Sequence, residues 1–201
     1  MFDARLRRLI DKPLGRAGTW LAAAGVSADL TSFAGLVFGL SAALSIALGH
    51  FLMGMSLFLL SRVADGLDGA VARASTNTDR GGFLDIAFDF LVYGAIPLAF
   101  AIDDPPANAL AAAILLASFL ANGCTFLAFA ALAERRGLAT MRHGPKAIYY
   151  LSGIAEGFET IAFVVAFCLW PTLFPRLAII FAALCFASAI GRLFLGWRIL
   201  A

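Results

Sequence analysis

Six long apolar stretches dominate the chain, at about 30–49, 51–73, 83–102, 107–133, 147–170 and 176–197. Short polar or proline-bearing breaks separate them. Each comes close to the ~20 apolar residues that cross a bilayer core. Backbone groups cannot stay unpaired in hydrocarbon, so each stretch predicts a helix. The pattern ahead of the first stretch is different. Phe2, Leu6, Leu9 and Ile10 recur at helical spacing among basic residues in Phe2–Leu14, which predicts an amphipathic helix lying in the interface. The expected architecture is an all-α membrane protein of one domain, residues 1–201. A cytoplasmic juxtamembrane segment (1–24) precedes a six-helix bundle (30–197). Gly35, Gly39, Gly94, Gly123, Gly153 and Gly157 suit close helix packing.

Composition agrees: 62% of residues are hydrophobic, 14% are charged and mean hydropathy is +0.91. Soluble domains average roughly 45–50% apolar and about 25% charged. A soluble enzyme, a disordered tail and a nucleic-acid binder are excluded. The basic residues set an orientation. With the N-terminus in the cytoplasm, Arg176 is the one cation of 15 on the far side, and the outer Asp103-Asp104 loop is acidic. This asymmetry predicts both termini inside. Cys124, Cys168 and Cys185 have no ligand-like spacing and read as packing residues. His50 and His143 read as surface residues. Trp20, Trp170 and Trp197 fall at span edges, where interfacial indoles are expected. No secretory signal is expected at the start.

Four aspartates break the apolar pattern within 25 residues: Asp65, Asp68, Asp85 and Asp89. An acid at the bilayer centre costs about 2.5–3.5 kcal/mol even on the lenient insertion scale. Asp65 and Asp68 are i, i+3; Asp85 and Asp89 are i, i+4; each pair therefore shares a helix face. The short break between their stretches predicts antiparallel neighbouring helices, with four carboxylates at one depth. Like charges that close need cations between them, and hard divalent ions take oxygen ligands of this kind. Two such ions are the usual device for phosphoryl displacement. The alternative is plain salt bridging to Arg62, Arg73 and Arg80. Beside the acids, Gly66, Gly69, Ala70 and Ala72 leave the helix face bare, and Arg73 offers a fork of donors suited to phosphate. Gly81-Gly82 predicts a tight turn before the third span.

The run Asp65-Gly66-Leu67-Asp68-Gly69-Ala70-Val71-Ala72-Arg73, followed by Gly81, Asp85 and Asp89, resembles the signature of the CDP-alcohol phosphatidyltransferases. That signature reads D-x-x-D-G-x-x-A-R, a short gap, then G-x-x-x-D-x-x-x-D, and all eight fixed positions match. Upstream, residues 28–35 are similar to the family's P-[ND]-x-x-T-x-x-G element, with Ala28 for the proline and Ser32 for the threonine. The resemblance implies cleavage of a CDP-linked lipid donor, usually CDP-diacylglycerol, with release of CMP. Asp65, Asp68 and Asp85 would ligate two Mg²⁺ or Mn²⁺ ions. Asp89 would complete the second site and take the proton of the attacking alcohol. Asp29, Ser32, Gly69, Ala72, Arg73 and Thr78 would line the CDP site. A homodimer is implied as well.

The polar alcohol acceptor is less legible. Arg142, Lys146 and Arg192 are candidates for an acceptor phosphate, with lipid-headgroup contact as the other reading. Glu156 and Glu159, an acid pair inside the fifth stretch, could bind acceptor hydroxyls or pair with Arg192. A CDP-choline or CDP-ethanolamine donor acting on diacylglycerol stays open as an alternative. Intramembrane prenyl transfer is disfavoured by the Ala72-Arg73 extension. A divalent-cation channel would need polar outer halves, yet Phe51–Leu60 and Leu91–Ala101 are almost wholly apolar. A site open to one side favours catalysis.

Overall fold

The computed structural model describes residues 3–76, 78–136 and 157–200. Among them there are helices and short connections, and no strand. In chain order the helices are α1 (Asp3–Ala23), α2 (Ala28–Ala47), α3 (Phe51–Ala74), α4 (Asp79–Asp103), α5 (Pro105–Arg135), α6 (Gly157–Leu169) and α7 (Phe174–Leu200). Local chemistry marks their ends. The Ser27 hydroxyl accepts from the Leu30 N–H and starts α2; Thr78 does the same for α4 through Gly81, and Asp104 for α5 through Ala107. Gly25 and Gly49 have φ of 82° and 77°, a conformation open to glycine at little cost. They turn the chain after α1 and α2.

Among the described residues, four segments are long and apolar enough to cross a membrane: Ala28–Ala47, Asp79–Asp103, Pro105–Arg135 and Pro171–Ile199. Six were expected. Helix α3 has the length, at 24 residues, but its second half carries Arg62, Asp65, Asp68 and Arg73. Helix α6 has 13 described residues, and the expected start of its stretch lies outside the described residues. Phe2 lies outside them too. The rest of the predicted amphipathic segment is helical, as part of α1.

Helix α2 packs on both α3 and α4, whereas α3 and α4 make hardly any close backbone approach to each other. The two helices face each other through side chains, as neighbours, but the close packing is made by α2, which lies against both. Small residues make this possible. A side chain at Gly35 would touch the Ala64 Cβ at 3.5 Å. One at Gly39 would press on Val92 of α4 and stand 3.0 Å from the Ser61 Oγ of α3. The result is a gap between α3 and α4, backed by α2, that only side chains cross.

Helix α1 closes the other side of α3. A Cβ on Gly18 would stand 2.7 Å from the Ala70 carbonyl carbon, and one on Gly66 would lie 3.2 Å from Leu14 Cδ1. The four small residues of the signature helix therefore divide. Gly66 and Ala70 admit α1, while Gly69 and Ala72 face a cleft. Farther along, α4 pairs with α5, α5 with α7, and α6 packs on α3 and α7. Their core is aromatic. Phe100 stacks on Phe174 at 4.3 Å and meets Phe167 edge-on at 5.9 Å; Phe163 stacks on Phe181 at 4.4 Å. Cys168 and Cys185 are buried within it, in the packing role expected of them; Cys124 is exposed.

Candidate active site

Three of the four aspartates meet across the gap. Asp65 and Asp68 of α3 and Asp85 of α4 place one carboxylate oxygen each within 4.8 Å of one another. Oxygen donors gathered so closely fit a hard divalent cation, whose ligands sit at about 2.0–2.6 Å from it. Asp68 is buried, and the Ser32 hydroxyl of α2 donates to its Oδ2 at 2.5 Å. Ser32 was expected to touch the nucleotide. Its observed contact is with a carboxylate of the cluster, so it fixes the orientation of a candidate ligand.

Asp89 lies one helical turn beyond Asp85 and is bound differently. Its Oδ1 accepts from Arg62 Nη1 of α3, and the same guanidinium stands 3.7 Å from Asp65. Arg62 also donates to the Tyr93 hydroxyl at 3.1 Å and to Ser61 Oγ at 3.0 Å. Metal clustering and salt bridging were alternatives for the aspartates in the sequence. The structure contains both a carboxylate cluster and salt bridging to Arg62, and Asp65 takes part in each. Ser61 and Tyr93 escaped sequence reasoning, although Tyr93 sits i+4 from Asp89, on the same face of α4.

A cleft of about 420 Å³ opens beside the cluster. Asp29, Ser32, Gly69, Ala72 and Thr78, all expected around the CDP group, line it together with Asp68 and Asp85. Arg73 is exposed and does not line it; its guanidinium folds back to 3.3 Å from where a Gly69 side chain would begin. Asp29 is ion-paired with Arg80 at the cleft wall. Gly81 and Gly82 do not make the expected turn. Thr78 starts α4 ahead of them, so they occupy its first turn with no positive φ. Their bareness widens the cleft: a Gly81 Cβ would stand 3.2 Å from the Thr78 Oγ1 and 3.8 Å from Asp29.

Of the acceptor candidates, Arg192 is buried between α5 and α7. It donates to the Asn122 side-chain oxygen at 2.5 Å and packs over Phe126 at 5.5 Å. Asn122 was missed in the sequence, where it is one of two amides, with Asn108, inside an apolar stretch. Glu159 falls in the first turn of α6. Arg142, Lys146 and Glu156 lie outside the described residues, as does His143.

Residues 26–194 match the CDP-alcohol phosphatidyltransferase family. Inner membrane protein YnjF of Escherichia coli is 40% identical over 190 residues, covering 94% of this chain and 87% of the relative. Archaetidylinositol phosphate synthase of Methanothermobacter thermautotrophicus is 28% identical over 98% of this chain and 93% of its own. The crystal structure of Mycobacterium tuberculosis phosphatidylinositol phosphate synthase with CDP-DAG bound superposes with a TM-score of 0.71, at 22% identity over 92% of this chain and 93% of that one. At that identity the likeness speaks for the fold. Family match, relatives and helical bundle agree, and the chain belongs to the CDP-alcohol phosphatidyltransferase family.

Proposed function

We propose that this protein transfers a phosphatidyl group from CDP-diacylglycerol to the hydroxyl of a polar alcohol and releases CMP. The observation that carries this function is the convergence of Asp65, Asp68 and Asp85 beside a cleft lined by Asp29, Ser32, Gly69, Ala72 and Thr78. The three carboxylates, with Asp89 for a second ion, would hold two divalent cations, Mg²⁺ or Mn²⁺. Such ions supply Lewis-acid stabilisation of charge on phosphate oxygens. The chain's own residues orient and deprotonate. Ser32 holds the Asp68 carboxylate, and Thr78 and Gly69 leave room for the donor's phosphates. Asp89 takes the proton of the acceptor hydroxyl. The acceptor oxygen then bonds to the phosphatidyl phosphorus, and the bond from that phosphorus to the CMP oxygen breaks.

The acceptor is proposed to carry a phosphate. Support comes from the name of the archaeal relative, a synthase of an inositol phosphate lipid, and from the buried cation Arg192. Arg142 and Lys146 would add charge, and Glu156 and Glu159 would bind hydroxyls. Residues 1–201 are read as one membrane domain whose termini and site face the cytoplasm, since 14 of 15 basic residues fall on that side. A homodimer is part of the same proposal. The test is CMP release by purified protein from CDP-diacylglycerol, with and without Mg²⁺ or Mn²⁺. It is run against glycerol 3-phosphate, inositol, inositol phosphate, serine and choline, with the lipid product read by mass. Release that needs neither metal nor alcohol overturns the assignment. A product formed only with unphosphorylated alcohols overturns the acceptor.

A further inference from the structure

Arg62 belongs to neither block of the signature, yet it is the most heavily engaged cation near the cluster. Its side chain is only 8% exposed. One nitrogen serves Asp89 and the Tyr93 hydroxyl; the other serves Ser61, whose hydroxyl donates in turn to the Gly35 carbonyl of α2 at 2.8 Å. The rings of Tyr93 and Phe58 lie 5.0 and 5.6 Å from the guanidinium carbon. Helices α2, α3 and α4 thus all bear on one side chain. A guanidinium held on this many sides is a fixed charge, unlike a lysine ammonium on a flexible stem.

The consequence falls on Asp89. Its Oδ1 is taken by Arg62, while Oδ2 has no hydrogen-bond partner among the described residues. A carboxylate tied through one oxygen cannot rotate freely, and the other oxygen is presented in one direction. We infer that Arg62 is a positioning residue for phosphatidyl transfer, fixing Asp89 so that a single carboxylate oxygen is offered to the acceptor hydroxyl. Arg62 touches neither substrate in this role. It acts through Asp89, and the inference rests on the proposed role of Asp89 as proton acceptor. Misplacing a reacting group by about 1 Å can cost ~10²-fold in rate, so orientation alone can carry a large effect.

The full-length protein in detergent tests this with CDP-diacylglycerol and whichever alcohol in the panel supports turnover. Arg62→Gln is expected to lower kcat by on the order of 10–100-fold. The donor KM and the melting temperature should stay close to those of the parent, while the half-saturating Mg²⁺ concentration should rise, since Asp89 is also proposed to hold the second ion. Arg62→Lys keeps the charge without the fork and should recover part of the loss. Tyr93→Phe removes one anchor of Arg62 and should lower kcat by less, with the same donor KM. A merely structural Arg62 would move melting temperature and donor KM together with kcat, and that result overturns the inference. Should Arg62→Gln fail to fold, Arg62→Lys and Tyr93→Phe decide, and parental kcat in both overturns it. Asp89→Asn separates the two ideas. If Asp89→Asn keeps full activity, the role of Asp89 itself fails. If it is inactive while Arg62→Gln is as fast as the parent, only the inference about Arg62 fails.

Discussion

Helices α3 and α4 each serve two regions of opposite character. At one end Phe51, Phe58, Ile96 and Phe100 join the phenylalanine core shared with α6 and α7. At the other, within three turns, Arg62, Asp65, Asp68, Asp85 and Asp89 face the gap. The apolar end is held by many weak contacts, and its ring pairs add about 0.5–1.5 kcal/mol each beyond burial. The polar end is held by a few strong, directional ones. Like carboxylates gathered in a membrane protein oppose folding unless cations or donors compensate, which accords with the proposed chemistry at that end. The apolar end should therefore govern stability, and the polar end turnover.

The sharpest break of this division is Asp89→Asn. It is expected to lower CMP release by about 10²–10⁴-fold, the usual worth of a general base, with the melting temperature unchanged or raised. A melting temperature that falls in step with activity would mean the polar end also holds the fold. Next comes Ser32→Ala, which frees the Asp68 carboxylate from its donor. Loss of such a supporting hydrogen bond typically costs 10–100-fold in metal affinity, so the Mg²⁺ titration should shift to higher concentration by roughly that factor. Phe100→Ala is the counterpart at the apolar end. A buried phenylalanine truncated to alanine costs about 3–5 kcal/mol in soluble cores, and lipid weakens the hydrophobic part of that sum. A clear fall in melting temperature with little change in donor KM is expected. Gly39→Leu tests the wedge between the regions. It would push α2 off Val92 and Ser61, an overpacking worth about 1–3 kcal/mol, so stability and turnover should drop together. The smallest effect belongs to Arg80→Ala. Arg80 is 75% exposed, and surface ion pairs contribute little, so stability should hold and only the donor KM should move, by a few-fold at most.

Periodicity alone made much of this protein legible. Apolar runs of span length can satisfy their backbone in hydrocarbon only as helices, and the observed α2 to α5 and α7 follow the expected stretches to within a few residues. The spacing of Asp65 and Asp68 placed both on one face of α3, because i, i+3 positions share a helix face whatever surrounds them, and the short connection to the next stretch brought Asp85 into the expected cluster. The lining of the cleft by Asp29, Ser32, Gly69, Ala72 and Thr78 was likewise foreshadowed by the signature. Packing partners are another matter, since every apolar face offers similar contacts and small residues permit close approach from several sides. Folding alone placed α2 against both α3 and α4, gave Gly66 and Ala70 to α1, and drew Gly81-Gly82 into a helix. It also divided the four acids, three toward one another and Asp89 onto Arg62. Spacing along one helix cannot specify which side chain of another helix will stand opposite; that depends on how three helices close together in space.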